Sequence, residues 1–213
     1  MYDLYVITDE GLSNGLSHAE IARLACEGGA DVIQLRDKMM GKDEQLAAAR
    51  EVRRITSLHG ALFIVNDHLD VAVASEADGV HLGQSDMKLA DALRTAGKEL
   101  LIGISVSTPE EALEAERGGA DYVGAGPVFA TSSKDDAADA IGLDGLVRIR
   151  GAVRIPIVAI GGINKGNAAS VIAAGADSVS VISAVVAQKD VKAAAEELKK
   201  IVDGALKASK VRR

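Results

Sequence analysis

Gly118-Gly-Ala-Asp-Tyr-Val-Gly-Ala-Gly126 passes from the end of a helix into a strand. The glycine pair suits a left-handed helix cap, where a residue without Cβ carries no steric penalty. Tyr122 and Val123 then suit a buried strand. The passage recurs at Gly28-Gly-Ala-Asp31 and Ala174-Gly-Ala-Asp177, with a weaker copy at Glu76-Ala-Asp78. Working outward from these copies, strands are predicted at 4–8, 32–36, 62–66, 79–83, 101–106, 122–128, 155–161 and 178–183. They are short, rich in Val and Ile and apolar on both faces, as buried parallel strands are. The repeats precede the second, fourth, sixth and eighth of them.

Helical stretches lie between the strands. Ser17-His-Ala-Glu20 and Thr108-Pro-Glu-Glu111 read as capping boxes, the second with proline at the first helical position. An amphipathic helix is predicted at 43–58 and another at 191–206, with a frayed basic tail at about 207–213. Eight units with a two-unit repeat predict an α/β protein, a single (β/α)8 TIM barrel spanning 1–213. An open doubly wound sheet is the alternative, but no Gly-x-Gly-x-x-Gly follows the first strand.

Composition narrows the function. The 213 residues carry a net charge of −7, which argues against a broad nucleic-acid or membrane surface. Aromatic residues make up 2% and Trp is absent, so base-stacking platforms are not expected. A single cysteine, Cys26, allows no intrachain disulfide and reads as core packing. No apolar run approaches membrane-spanning length, and Met1 leads directly into a strand without a leader-like segment. A cytoplasmic protein acting on small molecules is expected, with no nucleic-acid or membrane partner; homo-oligomerisation is left open.

Barrel enzymes place their chemistry at the C-terminal ends of the strands. Those ends are polar here: Gln34, Arg36, Asp37 and Lys38 after the second, Asn66 and Asp67 after the third, Asp86 after the fourth, Ser105 on the fifth. Thr131, Ser132, Ser133 and Lys134 follow the sixth, Gly161-Gly162 the seventh, and Ile182-Ser183 the eighth. Asp67 and Asp86 on neighbouring strands suit Mg²⁺, which takes one or two carboxylates and completes its shell with water and phosphate. Each sits equally well as a helix N-cap, as does Asn164. Arg36, Lys38 and Lys134 suit phosphate oxygens, although Arg36 also reads as an ion-pair partner. His81 reads as a core residue, His68 as helix-start structure, and His18 and His59 as surface positions. No zinc-site spacing and no Gly-x-Ser-x-Gly elbow occurs.

Taken together, Tyr5-Val-Ile-Thr-Asp9, Gln34-Leu-Arg-Asp-Lys38, Asn66-Asp67, Gly79-Val-His-Leu-Gly-Gln-Ser-Asp86, Gly103-Ile-Ser-Val-Ser107, Gly126-Pro-Val-Phe129, Thr131–Lys134, Ala159-Ile-Gly-Gly162 and Val181-Ile-Ser183 resemble the thiamine phosphate synthases. The resemblance implies a Mg²⁺-dependent transferase of the alkyl-transfer type. It would join a hydroxymethylpyrimidine pyrophosphate to a thiazole phosphate, or its carboxylated precursor, and release pyrophosphate. It assigns Gln34, Leu35, Arg36, Asp37, Lys38, Asn66, Ser105 and Lys134 to the pyrimidine pyrophosphate, with Arg36, Lys38, Ser105 and Lys134 in catalysis. Thr131, Ser132, Ser133, Gly162, Ile182 and Ser183 would hold the thiazole phosphate, and Asp67 and Asp86 the metal. The family loop commonly reads Thr-x-Thr-Lys; Ser133 replaces its second Thr and keeps the hydroxyl. The related thiazole tautomerases commonly lack the full basic motif and the Asn-Asp pair and carry His in the turn that here holds Pro127, which counts against that reading. A non-catalytic thiamine- or phosphate-binding regulator on a barrel is the rival from another class.

Overall fold

The computed structural model describes residues 3–96, 100–131 and 139–211. Eight parallel strands close into a barrel in chain order: β1 (Leu4–Thr8), β2 (Val32–Leu35), β3 (Leu62–Asn66), β4 (Gly79–Leu82), β5 (Leu101–Val106), β6 (Tyr122–Ala125), β7 (Ile157–Ile160) and β8 (Ser178–Val181). β1 closes the ring on β8 with Leu4 opposite Val179. Around the barrel run α1 (His18–Glu27), α2 (Lys42–His59), α3 (Leu69–Ala74), α4 (Leu89–Ala96), α5 (Pro109–Gly118), α6 (Gly142–Ala152), α7 (Ala168–Ala173), α8 (Ser183–Val186) and α9 (Val191–Val211). Both predicted capping boxes are formed, at Ser17 and at Thr108. No helix among the described residues is long and apolar enough to cross a membrane.

Period-2 alternation sorts the strand residues into two cores. Leu4, Val6, Ile33, Leu35, Phe63 and Val65 face the helices and pack in the main core. Tyr5, Ile7, Val32 and Ile64 face the lumen with Ile182. Cys26 joins the helix-side core, and burial, helped by neighbouring Glu27, pushes its thiol up to about 12.

Several strands end earlier than the sequence predicted. β6 stops at Ala125 rather than at Val128, because the cis Gly126–Pro127 pair follows and proline has no N–H for the ladder. The chain still rides on β7, since Val128 and Phe129 donate to the carbonyls of Ile160 and Gly161 at 2.8 and 3.0 Å. β2, β4 and β8 also stop one or two residues short, and β7 begins at Ile157, after Pro156. The frayed tail is a second correction. α9 continues through 207–211, where Lys207, Ala208 and Lys210 are strong helix formers, and 212–213 lie outside the described residues.

The two-unit repeat has a structural cause at the N-terminal end of the barrel. Asp31 donates its N–H to the Leu4 carbonyl and accepts the Leu4 N–H on Oδ2, both at 2.9 Å. Asp78 clips Phe63 in the same way (2.8 and 2.7 Å), Asp121 clips Ile102 (2.9 and 2.8 Å), and Asp177 clips Ile157 (2.9 and 2.9 Å). Each repeat therefore ties an even strand to the odd strand before it. Lys199, Arg53 and Arg150 neutralise Asp31, Asp78 and Asp177 at 3.0, 2.7 and 2.8 Å. The residue two places before each aspartate turns the chain with positive φ: Gly29 at 90°, Gly119 at 93° and Gly175 at 109°. In the weaker copy Glu76 takes this conformation at φ 54°.

A side chain in the left-handed region is strained by roughly 1 kcal/mol or more, and Glu76 is exposed. Glu76→Gly should stabilise the protein by about 0.5–1 kcal/mol, once the extra entropy of glycine in the unfolded chain is set against that strain. Gly119→Ala should do the reverse by a similar amount. Urea midpoints of the two variants and the parent check both.

Candidate active site

The early strand ends leave a cavity of about 1210 Å³ at the C-terminal mouth of the barrel. Arg36, Asp37, Lys38, Asn66, Asp67, Asp86, Ser105, Thr131, Gly162, Ile182 and Ser183 all line it. Seven strand ends, those of β2 to β8, thus bring these residues to one cavity. Ser132, Ser133 and Lys134 lie outside the described residues. Leu35 faces the helices, fully buried, away from the cavity. Gln34 is 2% exposed and does not line the wall; it lies beneath it and donates through Nε2 to the Tyr5 hydroxyl at 2.7 Å.

The segment after β2 is built on its own aspartate. Asp37 Oδ1 accepts the N–H groups of Met39 and Met40 at 2.6 and 2.9 Å, and Oδ2 meets His18 Nε2 at 3.1 Å. Burial alone would raise the Asp37 pKa, but these hydrogen bonds outweigh it and hold the carboxyl below its usual range. His18 is not a surface residue as the sequence suggested. It is 1% exposed, and its Nδ1 lies 2.7 Å from the Thr8 hydroxyl. The sequence carries no signal for this, because His18 opens an amphipathic helix and only the chain reversal after β1 turns it inward. Arg36 is buried and reaches Asp9 Oδ2 at 3.4 Å, so it is an ion-pair partner and a cavity residue at once. Lys38 is exposed on the same wall.

Neither Asp67 nor Asp86 caps a helix. His68 stands at the N-cap of α3, and α4 starts only at Leu89. Asp67 has φ 62°, and His68 donates to the Asn66 carbonyl across it at 2.7 Å. That three-residue bond with positive φ marks a strained γ-turn, uncommon for a residue with a side chain. The N–H of Asp67 bonds the His81 carbonyl of β4 at 2.9 Å, which fixes the turn to the neighbouring strand. Asp86 curls back to accept the Gly83 N–H at 2.7 Å. Asn164 is not the cap of α7 either. Asn167 stands there, and Asn164 Oδ1 accepts the Gly166 N–H. On the opposite wall, Gly161 and Gly162 have φ of 99° and 63°. A Cβ on Gly162 would come within 2.7 Å of the Ala130 carbonyl, so this glycine serves close packing as well as the cavity. Asn167 and Asn164 hold the Gly162 carbonyl at 3.0 and 3.3 Å. Ser180, on the same wall, has a buried hydroxyl with no partner among the described residues.

Below the mouth the lumen holds a network that the sequence did not reveal, although Ser105 and His81 were each singled out. Tyr5, Tyr122, His81 and Ser105 form a continuous hydrogen-bonded chain, with Tyr5 to Tyr122 at 3.2 Å, Tyr122 to His81 Nδ1 at 3.1 Å and His81 Nε2 to Ser105 at 2.9 Å. Gly103 and Gly124 admit the rings, since a Cβ on Gly103 would overlap the Tyr122 ring and one on Gly124 would meet the His81 ring at 2.7 Å. Alternation places Tyr5 on the lumen face of β1 and the other positions on the lumen faces of β4, β5 and β6, which is the signal that could have found the network.

A closed parallel barrel whose polar residues gather at its C-terminal mouth defines a (β/α)8-barrel enzyme. The model of the family described as thiamine monophosphate synthase matches residues 4–185. A thiamine-phosphate synthase of Methanocella arvoryzae is 60% identical over 201 residues, covering 94% of this chain and 95% of the relative. One of Methanoregula boonei is 59% identical over 197 residues, covering 92% and 91%. The solved thiamine phosphate pyrophosphorylase of Pyrococcus furiosus superposes with a TM-score of 0.90 at 49% identity, covering 96% of this chain and 97% of that one. The chain belongs to the thiamine monophosphate synthase family and is a transferase.

The depressed pKa of Asp37 makes its contribution to stability depend on pH. A carboxyl held low in the folded state stabilises fully above its unfolded pKa, and the contribution is lost as pH falls through the folded value. Asp37→Asn should therefore be less stable than the parent at pH 6–7, and the gap should narrow below roughly pH 4. Urea unfolding of both proteins at pH 3, 4, 5 and 7 measures that gap.

Proposed function

We propose that this chain makes thiamine phosphate by joining a hydroxymethylpyrimidine pyrophosphate to a thiazole phosphate, with release of pyrophosphate, in the cytoplasm. The observation that supports it most is the convergence on one cavity of Arg36, Lys38, Asn66, Asp67, Asp86 and Ser105 from β2–β5 with Thr131, Gly162, Ile182 and Ser183 from β6–β8. The first group suits the pyrimidine pyrophosphate and the second the thiazole phosphate, so the two substrates would face each other across the lumen axis.

The chemistry asks for charge stabilisation rather than a strong base. The C–O bond to pyrophosphate breaks, its electron pair stays on the leaving oxygen, and a pyrimidine-stabilised carbocation remains. The thiazole nitrogen then supplies its lone pair to the new C–N bond. Arg36 and Lys38, with Lys134 from outside the described residues, stabilise the departing charge. Asn66 and Ser105 orient the pyrimidine end, and Gly162, Ile182, Ser183 and the Thr131 loop fix the thiazole phosphate for attack. Asp37 shapes the segment that carries Arg36 and Lys38 and need not touch the substrate.

Asp67 and Asp86 are hard oxygen donors on adjacent strand ends, and no cluster of three or more His, Cys, Asp or Glu suited to a metal occurs among the described residues. Two carboxylates fit Mg²⁺, which keeps waters and binds phosphate, better than Zn²⁺ or Ca²⁺, which want fuller protein shells. Bound there, Mg²⁺ would neutralise charge on the leaving pyrophosphate.

Purified protein given both substrates and Mg²⁺ should release thiamine phosphate and pyrophosphate in equal amounts, and chelator should stop it. Asp67→Ala and Asp86→Ala should each lower kcat by about 100-fold or more, on the scale of losing one preorganised charge contact. Their circular dichroism should stay that of the parent. Binding of both substrates without product would favour a regulator, and full Mg²⁺-dependent activity in both variants would remove the metal assignment. Ser133→Thr should change the KM for the thiazole phosphate less than about threefold, since both residues supply one hydroxyl.

A further inference from the structure

The buried chain beneath the mouth has a direction. Gln34 Nε2 can only donate, so Tyr5 accepts from it at 2.7 Å and must place its own hydrogen elsewhere. Both phenols are deeply buried, which pushes their pKa values far up and keeps each hydroxyl protonated. Tyr5 then donates to Tyr122 at 3.2 Å, and Tyr122 donates to His81 Nδ1 at 3.1 Å. An accepting Nδ1 puts the imidazole proton on Nε2, which donates to Ser105 Oγ at 2.9 Å. Ser105 is the member of the chain that lines the cavity. One lone pair of Oγ is then taken by His81, and the hydroxyl hydrogen, which cannot point at an N–H, is turned away from His81 and can point into the mouth. The backbone beneath it is fixed as well, because Gln84 Nε2 holds the Ser105 carbonyl at 2.6 Å.

We propose that Tyr5, Tyr122 and His81 are positioning residues that set His81 in the Nε2–H tautomer and hold Ser105 as a hydrogen-bond donor to an acceptor atom of the pyrophosphate substrate. The inference rests on the function proposed above. The acceptor is either a ring nitrogen of the aminopyrimidine or an oxygen of its pyrophosphate. A serine left to itself can donate or accept equally. A relay that arrives as a donor takes one of its two lone pairs and turns the hydrogen away from His81, which biases Ser105 toward donating before the substrate binds. Gly103 and Gly124 are small because the relay's rings occupy the space their side chains would take.

The test begins on the unmodified protein. Nitrogen-15 NMR of its histidines should show His81 with a protonated Nε2 and an unprotonated Nδ1; the opposite tautomer would overturn the inference. Tyr122→Phe removes the hydrogen that fixes Nδ1. It should mix the His81 tautomers and lower kcat/KM for the pyrimidine pyrophosphate about 10-fold, the order of one neutral hydrogen bond, while the KM for the thiazole phosphate stays unchanged. Tyr5→Phe breaks the relay one step earlier and serves if Tyr122→Phe fails to fold. Unchanged His81 shifts and unchanged kcat/KM in these variants would also overturn it. Inhibition by inorganic pyrophosphate locates the acceptor. If Ser105→Ala weakens it, Ser105 donates to pyrophosphate; if Ser105→Ala weakens only the pyrimidine substrate, Ser105 donates to the ring. If it weakens neither, the donor assignment falls. A parent protein that makes no thiamine phosphate would remove the substrate reading, whereas the NMR tautomer still decides the relay by itself.

Discussion

An eight-stranded parallel barrel encloses a lumen that its own side chains must fill, and the rest of this structure follows from how they do so. Near the N-terminal end the filling is ordinary, with Val32, Leu62, Ile64 and Val158 meeting across the axis. One layer higher it becomes aromatic and polar. Two tyrosines and a histidine are too large for that layer unless facing positions give way, and Gly103 and Gly124 give way. Buried polar groups in such a place must be bonded, because each unpaired one costs about 1–3 kcal/mol. Space filling and hydrogen-bond satisfaction therefore act together to select one continuous chain that ends at Ser105 in the mouth.

The two ends of the barrel divide the remaining tasks. At the N-terminal end, four aspartates clip neighbouring strands in pairs, and three of them carry a basic partner. These clips fix strand register where no substrate passes. At the C-terminal end the strands stop early and the backbone takes unusual conformations, with positive φ at Asp67, Gly161 and Gly162. Glycine takes such angles without penalty, but the strain at Asp67 is tolerated only where surrounding structure enforces it. The clips and the helix-side core supply that enforcement from a distance, which leaves the mouth free to serve chemistry.

The fold was legible because the repeat is both a sequence pattern and a structural device. Gly-Gly-Ala-Asp names the cap, the turn and the clip at once, so counting copies counted pairs of β/α units. The site was legible to the extent that it lies at strand ends, where the chain order alone puts Arg36, Asn66, Asp67 and Asp86 on one rim. Strand lengths were overestimated because apolar residues such as Val128 and Ile155 continue the pattern while Pro127 and Pro156 interrupt the ladder. Contacts between distant segments left no trace in local pattern. His18 reaches Asp37 and Tyr5 reaches Tyr122 only after the barrel closes, and helical or strand periodicity says nothing about either meeting.

A net charge of −7 is an odd setting for two phosphorylated substrates. At physiological salt, fields fade over about 8 Å, so the overall charge matters little once a substrate has entered the mouth. There, near groups decide. Arg36 is buried and paired with Asp9 at 3.4 Å, which means that its guanidinium has already been stripped of most of its water. A hydrated arginine on the rim would have to lose that water on each binding event. Here the cost of desolvation was met when the chain folded, and in the function proposed an incoming phosphate oxygen would find a cation already held in the cavity wall. Preorganisation of this sort matters most in a reaction whose difficulty is the separation of charge. It also gives a physical reason why the proposed reaction would need no strong base: the barrier would lie in the departing pyrophosphate, and fixed cations and donors would lower it without moving a proton.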